Sequence, residues 1–325
     1  MASIVSWAIA LPSLRLPAAS YAAWGGCSAR GLKRKAVTAF DEDAVTLGAT
    51  AGRACLERAP AEAQHFDALF VGATTLPYEE KPSSSSILSM LTGETAVRVV
   101  EIRGSPQAGL QALAAAADFC TANPGATAMA IATDAPRAHP ASSFEHALGA
   151  GAAAFLVSAA GSGAEILRTV AVSRETFGSR MRRAGGTWRE DRELRVDDDR
   201  QSLDLLARHL PAEGMRLATG LDPSLQQAAA KLWRPERSDD HWAQTGDLGA
   251  ASAPVALADA LDAGPPGAEI LAVALGSGAI ALHIRRGAAI APAPTLADLA
   301  VGGVEIDYIR YLKETGFLAR PGSGA

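Results

Sequence analysis

A strand-to-helix elbow in the first half of the chain marks the place where many α/β enzymes present a nucleophile. Residues 99–112 read Val-Val-Glu-Ile-Arg-Gly-Ser-Pro-Gln-Ala-Gly-Leu-Gln-Ala, which predicts an apolar strand, a tight turn and an Ala-rich helix over 107–119. Ser105 is predicted as the helix N-cap and Pro106 as the first helical residue, because proline lacks only an N–H that would be unpaired there. The tip of the elbow is therefore a proline, which carries no nucleophile.

Other side chains near glycine turns are candidates for a catalytic role, and each of them could instead have a purely structural role. Ser105 is either a nucleophile or only the helix cap, and Cys27 lies in a Gly-Gly-Cys-Ser loop as a reactive or an ordinary thiol. His146 and His241 each precede a glycine turn, and Asp247 lies in a Thr-Gly-Asp loop where it is a candidate acid or base. The chain has six histidines, so chance proximity to a pocket is common. Ser105 and His241 are kept as fallback catalytic candidates.

The composition excludes several classes of protein. The chain has 325 residues, of which 48% are hydrophobic, and a formal net charge of −5 with scattered basic residues, which argues against nucleic-acid binding. No apolar run reaches the roughly 20 residues that span a bilayer. The N-terminus lacks a basic start and Pro12 interrupts its apolar run, so a first strand is expected rather than a signal peptide. The three cysteines have no paired spacing, which predicts a reducing cytoplasm and no metal site.

Hydrophobic patterning predicts two similar halves in which strands and helices alternate, as in a layered α/β fold. A charged stretch at 175–200 has few apolar anchors and is expected to be a solvated excursion between them. The division is 1–172 for the N-terminal half, 173–200 for the excursion, and 201–325 for the C-terminal half and tail. Strands are predicted at 4–11, 66–72, 127–133, 164–172, 270–275 and 278–283, and helices at 44–58, 87–91, 107–119, 201–208, 223–233 and 250–261. The run at 149–158 has small residues before a further strand, and the tail at 306–317 is an aromatic, amphipathic segment.

An ordered set of motifs resembles the thiolase superfamily of acyl-CoA condensing enzymes. Within it, the chain is most similar to the branch of 3-hydroxy-3-methylglutaryl-CoA (HMG-CoA) synthase and ketoacyl synthase III. The motifs run through nearly the whole chain and are Phe-Asp-Glu-Asp-Ala-Val-Thr at 40–46, Pro-Tyr-Glu-Glu-Lys-Pro-Ser at 77–83, the elbow with Ala-Gly at 108–109, Gly-Ala-Gly-Ala-Ala-Ala-Phe at 149–155, Thr-Gly-Asp-Leu-Gly-Ala-Ala-Ser at 245–252, Gly-Ser-Gly-Ala at 276–279, and Ile-Asp-Tyr with Tyr-Leu-Lys at 306–313.

The resemblance implies a five-layer αβαβα fold, built from two pseudo-repeated βαβαβ halves and normally found as a dimer. It also implies a cysteine nucleophile at the elbow that takes an acyl group from coenzyme A (CoA), assisted by a histidine, an asparagine and a glutamate. In this sequence the cysteine position holds Pro106, the histidine position Thr219, the asparagine position Asp247 and the glutamate position Thr74. No catalytic position of the family is intact.

These departures remove the ordinary chemistry of the family. Thioester attack needs a thiolate and a base that generates it, whereas Pro106 has neither a thiol nor a backbone N–H for an oxyanion hole. Thr219 is no base near neutral pH, and Asp247 would place a negative charge where an oxyanion develops.

Two further stretches are candidates for substrate binding. The turn Gly276, Ser277 and Gly278 resembles the family's active-site turn, although it also fits a purely structural turn. Arg30 and Lys33 belong to a small basic cluster with the arginine and lysine at 34–35, and they either meet CoA phosphates or lie in a solvated basic loop.

Three functions follow as hypotheses. The first is a catalytically degenerate subunit of a thiolase or acyltransferase complex, with no tightly bound cofactor, no metal and a CoA thioester as the expected ligand. Its partner would be a Cys-bearing thiolase-fold paralogue, a small OB-fold zinc-ribbon protein, or both. The alternative is an active acyl-CoA enzyme for C–C bond formation or cleavage that uses Asp247 with a histidine, or Ser105. The third is a free-standing acyl-CoA binding protein.

Overall fold

The computed structural model describes residues 2–26, 28–61, 64–142, 144–159, 163–176, 180–190, 198–210, 214–239, 241–288 and 290–318. The strands are β1 (Ser3–Ala10), β2 (Leu14–Pro17), β3 (Arg34–Val37), β4 (Ala68–Gly72), β5 (Arg98–Ile102), β6 (Thr127–Asp134), β7 (Gly151–Ser158), β8 (Ala164–Ser173), β9 (Arg216–Ala218), β10 (Arg237–Asp239), β11 (Glu269–Leu275), β12 (Gly278–Arg285) and β13 (Val304–Glu305). The helices are α1 (Ala18–Ala22), α2 (Ala44–Arg58), α3 (Ser83–Leu91), α4 (Ala108–Ala122), α5 (Asp198–His209), α6 (Pro223–Trp233), α7 (Trp242–Thr245), α8 (Ser252–Ala263), α9 (Leu296–Val301) and α10 (Tyr308–Glu314).

The large sheet consists of two copies of one five-stranded pattern. Its strand order is β10-β9-β11-β12-β8-β1-β7-β6-β4-β5. In the first copy β4 pairs in parallel with β5 and β6, whereas β7 is antiparallel to both β6 and β1. In the second copy β9 is parallel to β10 and β11, whereas β12 is antiparallel to both β11 and β8. The prediction of two pseudo-repeated halves is confirmed.

The two halves meet where β1 and β8 pair over a short stretch, at Ser3 with Glu165 and Ile4 with Ala164. Strand β8 pairs with β12 along nearly its whole length. By its pairing β8 therefore opens the second half, whereas the sequence division after residue 172 placed it in the first. The residues of a strand at the boundary do not show which half of the sheet the strand will join, because strand pairing depends on residues that are distant in the sequence.

Helices cover both faces of each half and produce five layers. Helices α4 and α8 share one core with both halves of the sheet and lie between them. Helices α2 and α3 pack on the other face of the first half, and α5 and α6 pack on the other face of the second. Within β6, Ala128 and Ala130 face the central helices, whereas Met129 and Ile131 face α2. Strands buried on both faces read as continuous apolar runs, as these do.

Capping residues set several helix ends as the sequence indicates. Asp43 caps α2 by accepting hydrogen bonds from the N–H groups of Val45 and Thr46, in a capping box with Thr46. Asp222 caps α6 by accepting hydrogen bonds from the N–H groups of Ser224 and Leu225, and Pro223 is the first residue of the helix. The predicted bounds of α2 and α6 are therefore correct. Helix α3 begins earlier than predicted, directly after Pro82.

A small sheet, β13-β2-β3, lies beside the large one and buries a lysine. Lys35 on β3 is fully buried, with Nζ 2.7 Å from the backbone oxygen of Glu145 and 4.2 Å from the centroid of the Tyr311 ring. Burial lowers the pKa of Lys35 to about 7, with Glu145 opposing the shift. The basic cluster at 30–35 is therefore not one solvated loop, because Lys35 lies on β3 with its side chain fully buried.

We expect Lys35→Met to change how stability depends on pH. Above pH about 7 the folded chain holds Lys35 neutral, while the unfolded chain stays protonated to about pH 10.4. Stability due to Lys35 therefore rises with pH across this window. Between pH 7.5 and 9.5, wild type should gain about 2 kcal/mol of unfolding free energy relative to Lys35→Met in urea titrations. The control is Arg34→Met, which removes an arginine 3.2 Å from Glu305. Parallel pH profiles for wild type and Lys35→Met would contradict the prediction.

Candidate functional site

Three of the four positions matched to the family's catalytic residues line one cavity of about 220 Å³. Pro106 reaches it from the turn after β5, Thr219 from the end of β9, and Asp247 from the loop after α7. The fourth, Thr74, follows β4 and lines an adjoining cavity of about 120 Å³, which Pro106 also lines. We call these the main cavity and the side cavity. Both lie at the carboxyl ends of parallel strands, where open α/β sheets bind ligands.

The elbow differs from the prediction in its hydrogen bonds. Helix α4 begins at Ala108, so Pro106 is a turn residue and Ser105 is not the N-cap. The Ser105 hydroxyl instead donates to the carbonyl oxygen of Gly276 at 2.8 Å, and the Gln107 side-chain amide donates to the same oxygen. A Cβ on Gly276 would lie 2.5 Å from Ser105 Oγ. The elbow is thus held against a turn 171 residues away, a constraint that local sequence does not contain.

The turn at 276–278 supports the elbow and is not part of the cavity wall. Gly276, Ser277 and Gly278 all have φ between +50° and +145°, which favours glycine at the two outer positions. The Ser277 hydroxyl is 3.1 Å from Thr176 Oγ1, and the preceding Ala274 and Leu275 line the main cavity. The substrate-binding role predicted for this turn remains a prediction.

Asp247 is an ionised carboxylate held by two arginines. Arg180 Nη1 is 2.6 Å from Asp247 Oδ2 and Nη2 is 3.2 Å from Oδ1, while Arg189 Nη1 is 3.6 Å from Oδ2. The Asp247 side chain is 14% exposed. Burial alone would raise the pKa of Asp247, but Arg180 and Arg189 outweigh it and hold the pKa well below its usual range. Asp247 therefore has no proton to give and is a weak base near neutral pH.

Both arginines come from the charged stretch at 173–200, which was expected to be a solvated excursion. That expectation is wrong for residues 180–190, which pack over the main cavity through Arg180 and Arg189. Ion pairs and hydrogen bonds hold this stretch, together with the ring of Trp188, which packs on Phe317 at 4.8 Å between centroids. One of these is the bond from the Arg182 guanidinium to the Thr74 carbonyl oxygen at 2.6 Å.

A second buried carboxylate, Asp134 at the end of β6, was missed by the sequence analysis. It accepts hydrogen bonds from Thr74 Oγ1 at 2.6 Å, from Thr75 Oγ1, and from the backbone N–H of Ala250 at 2.8 Å. Burial raises the pKa of Asp134, and these hydrogen bonds and Arg180 oppose the rise. An aspartate that directly follows a buried strand was the signal that could have found it. The Thr74 hydroxyl is thus already hydrogen-bonded to Asp134.

Neither of the two histidine candidates is poised for catalysis. His241 is buried, with Nδ1 2.6 Å from Thr245 Oγ1 and Nε2 donating to the carbonyl oxygen of Ser252 at 2.8 Å. His146 accepts at Nδ1 from the backbone N–H of Ala29 and stacks on a tyrosine ring. Burial, with Lys35, lowers the pKa of His146 to about 4. At the histidine position of the family, the Thr219 hydroxyl donates to Gln226 Oε1.

The two described thiols give no nucleophile at the site. Cys27 lies outside the described residues. Cys55 and Cys120 are buried in the helix-covered cores, and burial raises their pKa to about 12 and about 11. Among the described residues that line the main cavity, there is no cysteine and no histidine. Among the described residues that line this cavity, no side chain is suited to covalent thioester chemistry.

The segment that carries Arg30 and Lys33 lies beside the main cavity. Both side chains are exposed. The indole N–H of Trp242, which lines the cavity, donates to the Arg30 carbonyl oxygen at 3.0 Å, and the Lys33 N–H donates to the Ala243 oxygen at 2.8 Å. Two long, exposed cationic side chains, Arg30 and Lys33, therefore belong to a segment that contacts a wall of the main cavity.

The parts of the chain that the structure describes contain neither a cluster of metal ligands nor a helix that could cross a membrane. No three histidine, cysteine, aspartate or glutamate side chains come together as metal ligands in those parts. No described helix has the length and apolar character to cross a bilayer.

The sequence is similar to HMG-CoA synthases, although no protein-family model matches it. It is 32% identical to the HMG-CoA synthase of Pyrococcus furiosus over 154 residues, which cover 47% of this chain and 44% of that enzyme. The matched segment thus spans less than half of that relative. A longer match, to the HMG-CoA synthase of Pyrobaculum neutrophilum, is 28% identical and covers 95% of this chain and 96% of that enzyme.

Solved structures show the same fold. An HMG-CoA synthase in complex with CoA has a TM-score of 0.81 at 16% identity, covering 99% of this chain and 92% of that one. The 3-oxoacyl-(acyl carrier protein) synthase III of Pseudomonas aeruginosa has a TM-score of 0.75 at 19% identity, covering 90% of this chain and 99% of that one. The predicted thiolase fold is confirmed, and the sequence matches support the predicted superfamily.

Proposed function

We propose that this chain is a catalytically degenerate subunit of an acyl-CoA-handling complex, of the thiolase or acyltransferase type. A Cys-bearing thiolase-fold partner would carry out the chemistry, with or without a small OB-fold zinc-ribbon protein. One observation carries the proposal: Pro106 occupies the elbow tip at a cavity where Thr219 and Asp247 also converge, and none of the three supplies a nucleophile or a base.

The chemical argument concerns the attack on a thioester. A thiolate must attack the carbonyl carbon, and an oxyanion hole must stabilise the charge that develops on oxygen. Pro106 offers neither a thiol nor an N–H, and the loss of one oxyanion donor typically costs about 10²–10³ in rate. The Asp247 carboxylate would repel the oxyanion, although Arg180 and Arg189 neutralise part of its charge.

The contacts of the fallback groups do not favour an active enzyme with a non-standard constellation. The Ser105 hydroxyl donates to a carbonyl oxygen and accepts from the Gln107 N–H, and neither partner is a base. Both ring nitrogens of His241 are within hydrogen-bond distance of other groups, Thr245 Oγ1 and the Ser252 carbonyl oxygen, and His241 is not among the described residues that line the main cavity. An Asp247 that is paired with two arginines lacks the raised pKa that a general acid needs.

The surviving framework supports a role in assembly and ligand binding. Gly149, in one of the shared motifs, packs so closely that a Cβ would lie 2.0 Å from the Thr245 carbonyl oxygen. This contact positions the loop of Asp247, whose N–H donates to the Ala147 oxygen at 2.8 Å. A CoA thioester is the expected ligand, since a structural neighbour was solved with CoA, and Arg30 and Lys33 are the proposed phosphate contacts.

Acetyl-CoA labelling tests the chemical part of the proposal. After incubation with acetyl-CoA, intact-mass spectrometry of the wild-type chain should show no acyl adduct. Pro106→Cys should be acylated slowly and without turnover, because neither Thr219 nor Asp247 can act as the base. Product formed by the chain alone, and lost in Asp247→Ala or Ser105→Ala, would overturn the proposal in favour of the active-enzyme alternative.

Native mass spectrometry of the chain purified from its own host tests the partner. A stable hetero-oligomer that contains a chain with cysteine at the elbow is the expected result. A homodimer with no second protein would contradict the assignment as a supporting subunit.

A further inference from the structure

The side cavity, next to the main one, is walled by arginines. Thr74 and Pro106 form one side, at the carboxyl ends of β4 and β5. Arg137 follows β6, and Arg180, Arg182 and Arg189 come from the stretch at 180–190. No aspartate or glutamate is among the described residues that line this cavity. The stretch at 180–190 thus supplies three of the four arginines that line the side cavity.

The positive charge of this wall is only partly compensated. Asp247 pairs with Arg180 and Arg189 from the main cavity, and Asp134 lies behind the threonines. Arg137 and Arg182 are exposed and hydrogen-bond to backbone oxygens instead of carboxylates in the described structure. Arg182 donates to the oxygens of Gly186 and Thr74, which fixes its guanidinium at the cavity. Two guanidinium groups therefore face the space without an acidic partner there.

The chemistry of the wall selects the kind of ligand. An arginine guanidinium is a planar fork of N–H donors that matches a carboxylate. The hydroxyls of Thr74 and Thr75 are engaged by Asp134 and leave no further neutral donors on that side. Asp134 and Asp247 lie just behind the wall and partly offset its positive charge. The cavity therefore favours a small carboxylate, whose charge is spread over separate planar groups in a diacid such as malonate, over the compact charge of a phosphate dianion. A volume of about 120 Å³ fits a small organic acid and not a nucleotide.

We propose that the side cavity binds a small carboxylate through Arg137 and Arg182, in front of Pro106. The carboxylate has two possible sources: a free short-chain acid, or the terminal carboxylate of an acyl group whose CoA occupies the main cavity. The second source rests on the proposed function. The first requires no acyl-CoA, no partner and no turnover.

Calorimetric titration of the purified chain with malonate at low ionic strength tests the site. We expect millimolar or tighter binding, weakened at least tenfold in Arg182→Gln and in Arg137→Gln, which is about 1.4 kcal/mol each. The matched control is Arg183→Gln. Arg183 is adjacent to Arg182 in the sequence, its Nε lies 3.9 Å from Glu190 Oε2, and it does not line the cavity. Circular dichroism and thermal unfolding establish that each variant is folded.

Three results would overturn the proposal. The first is no malonate binding at about 10 mM, and the second is equal affinity of wild type, Arg182→Gln and Arg183→Gln. The third is tighter binding of phosphate than of malonate, which would contradict the carboxylate assignment. Titration with malonyl-CoA and acetyl-CoA identifies the source. An Arg182-dependent preference for malonyl-CoA indicates an acyl carboxylate, whereas equal affinities together with malonate binding indicate a free acid. Because the malonate titration requires no CoA or partner, its failure leaves the proposed function standing.

Discussion

Asp247→Asn is expected to lower the free energy of unfolding by about 3 kcal/mol at neutral pH. The substitution removes the charge that Arg180 and Arg189 share and leaves two cations in a largely enclosed site. Breaking a buried ion pair by removing one partner typically costs about 3–5 kcal/mol, and we take the lower value because the Arg180 side chain is 26% exposed. The asparagine at this position is the residue that the resemblance implies, so the loss would show that this chain has built its cavity around the aspartate.

Urea unfolding of a small set of variants measures this effect. Asp222→Asn is the matched control, because asparagine caps a helix about as well as aspartate and α6 should keep its N-cap. The double variant Asp247→Leu/Arg180→Met should recover most of the lost stability, since an apolar pair of similar volume often replaces a buried ion pair without cost. If Asp247→Asn unfolds within about 0.5 kcal/mol of wild type, solvent screens the pair and the prediction is wrong.

The same pair has a defined dependence on pH. The folded-state pKa of Asp247 lies below its unfolded value of about 3.9, so the unfolded chain binds more protons in acid. Stability from the pair is therefore fully present above pH about 5 and is lost only as the pH falls through about 4 and below. The difference between wild type and Asp247→Asn should stay constant from about pH 5 to 8 and shrink in more acidic solution.

Gly109→Ala is expected to lower stability by at least about 3 kcal/mol or to prevent folding. Gly109 lies at the start of α4, where a Cβ would be 2.0 Å from the Ala250 carbonyl oxygen and 2.9 Å from both the Ala132 Cβ and the Pro254 Cγ. Alanine improves helix propensity by about 1 kcal/mol over glycine, which this clash outweighs. The contact joins α4 to the backbone before α8, between the two halves of the sheet.

Gly93→Ala is the control for this substitution. A Cβ at Gly93 would meet no atom within 4 Å, so soluble yield and urea midpoint should remain close to wild type. A Gly109→Ala variant as stable as Gly93→Ala would mean that α4 can shift away from Ala250, and the close approach of the two central helices would not be required by the fold.

The sequence by itself determined the architecture of this protein. Apolar runs predicted the buried strands, and capping residues such as Asp43 and Asp222 fixed α2 and α6, because these signals act between residues close in the chain. The ordered motifs predicted the thiolase fold, and the identity of Pro106 removed a thiol from the elbow without any need for coordinates. The absence of a thiol at this position follows from the identity of a single residue.

Only the tertiary structure decided how the site is built. Arg180 meets Asp247 across 67 residues, Thr74 meets Asp134 across 60, and Ser105 meets Gly276 across 171. Local patterns could not predict that an apparently solvated stretch would supply two arginines to Asp247, or that Lys35 would be buried. Polar side chains carry the same local signal whether water or a distant partner satisfies them. Which of the two does so is set by packing between elements, because a buried charge is stable only where an opposite charge or hydrogen-bonding group has been brought to it.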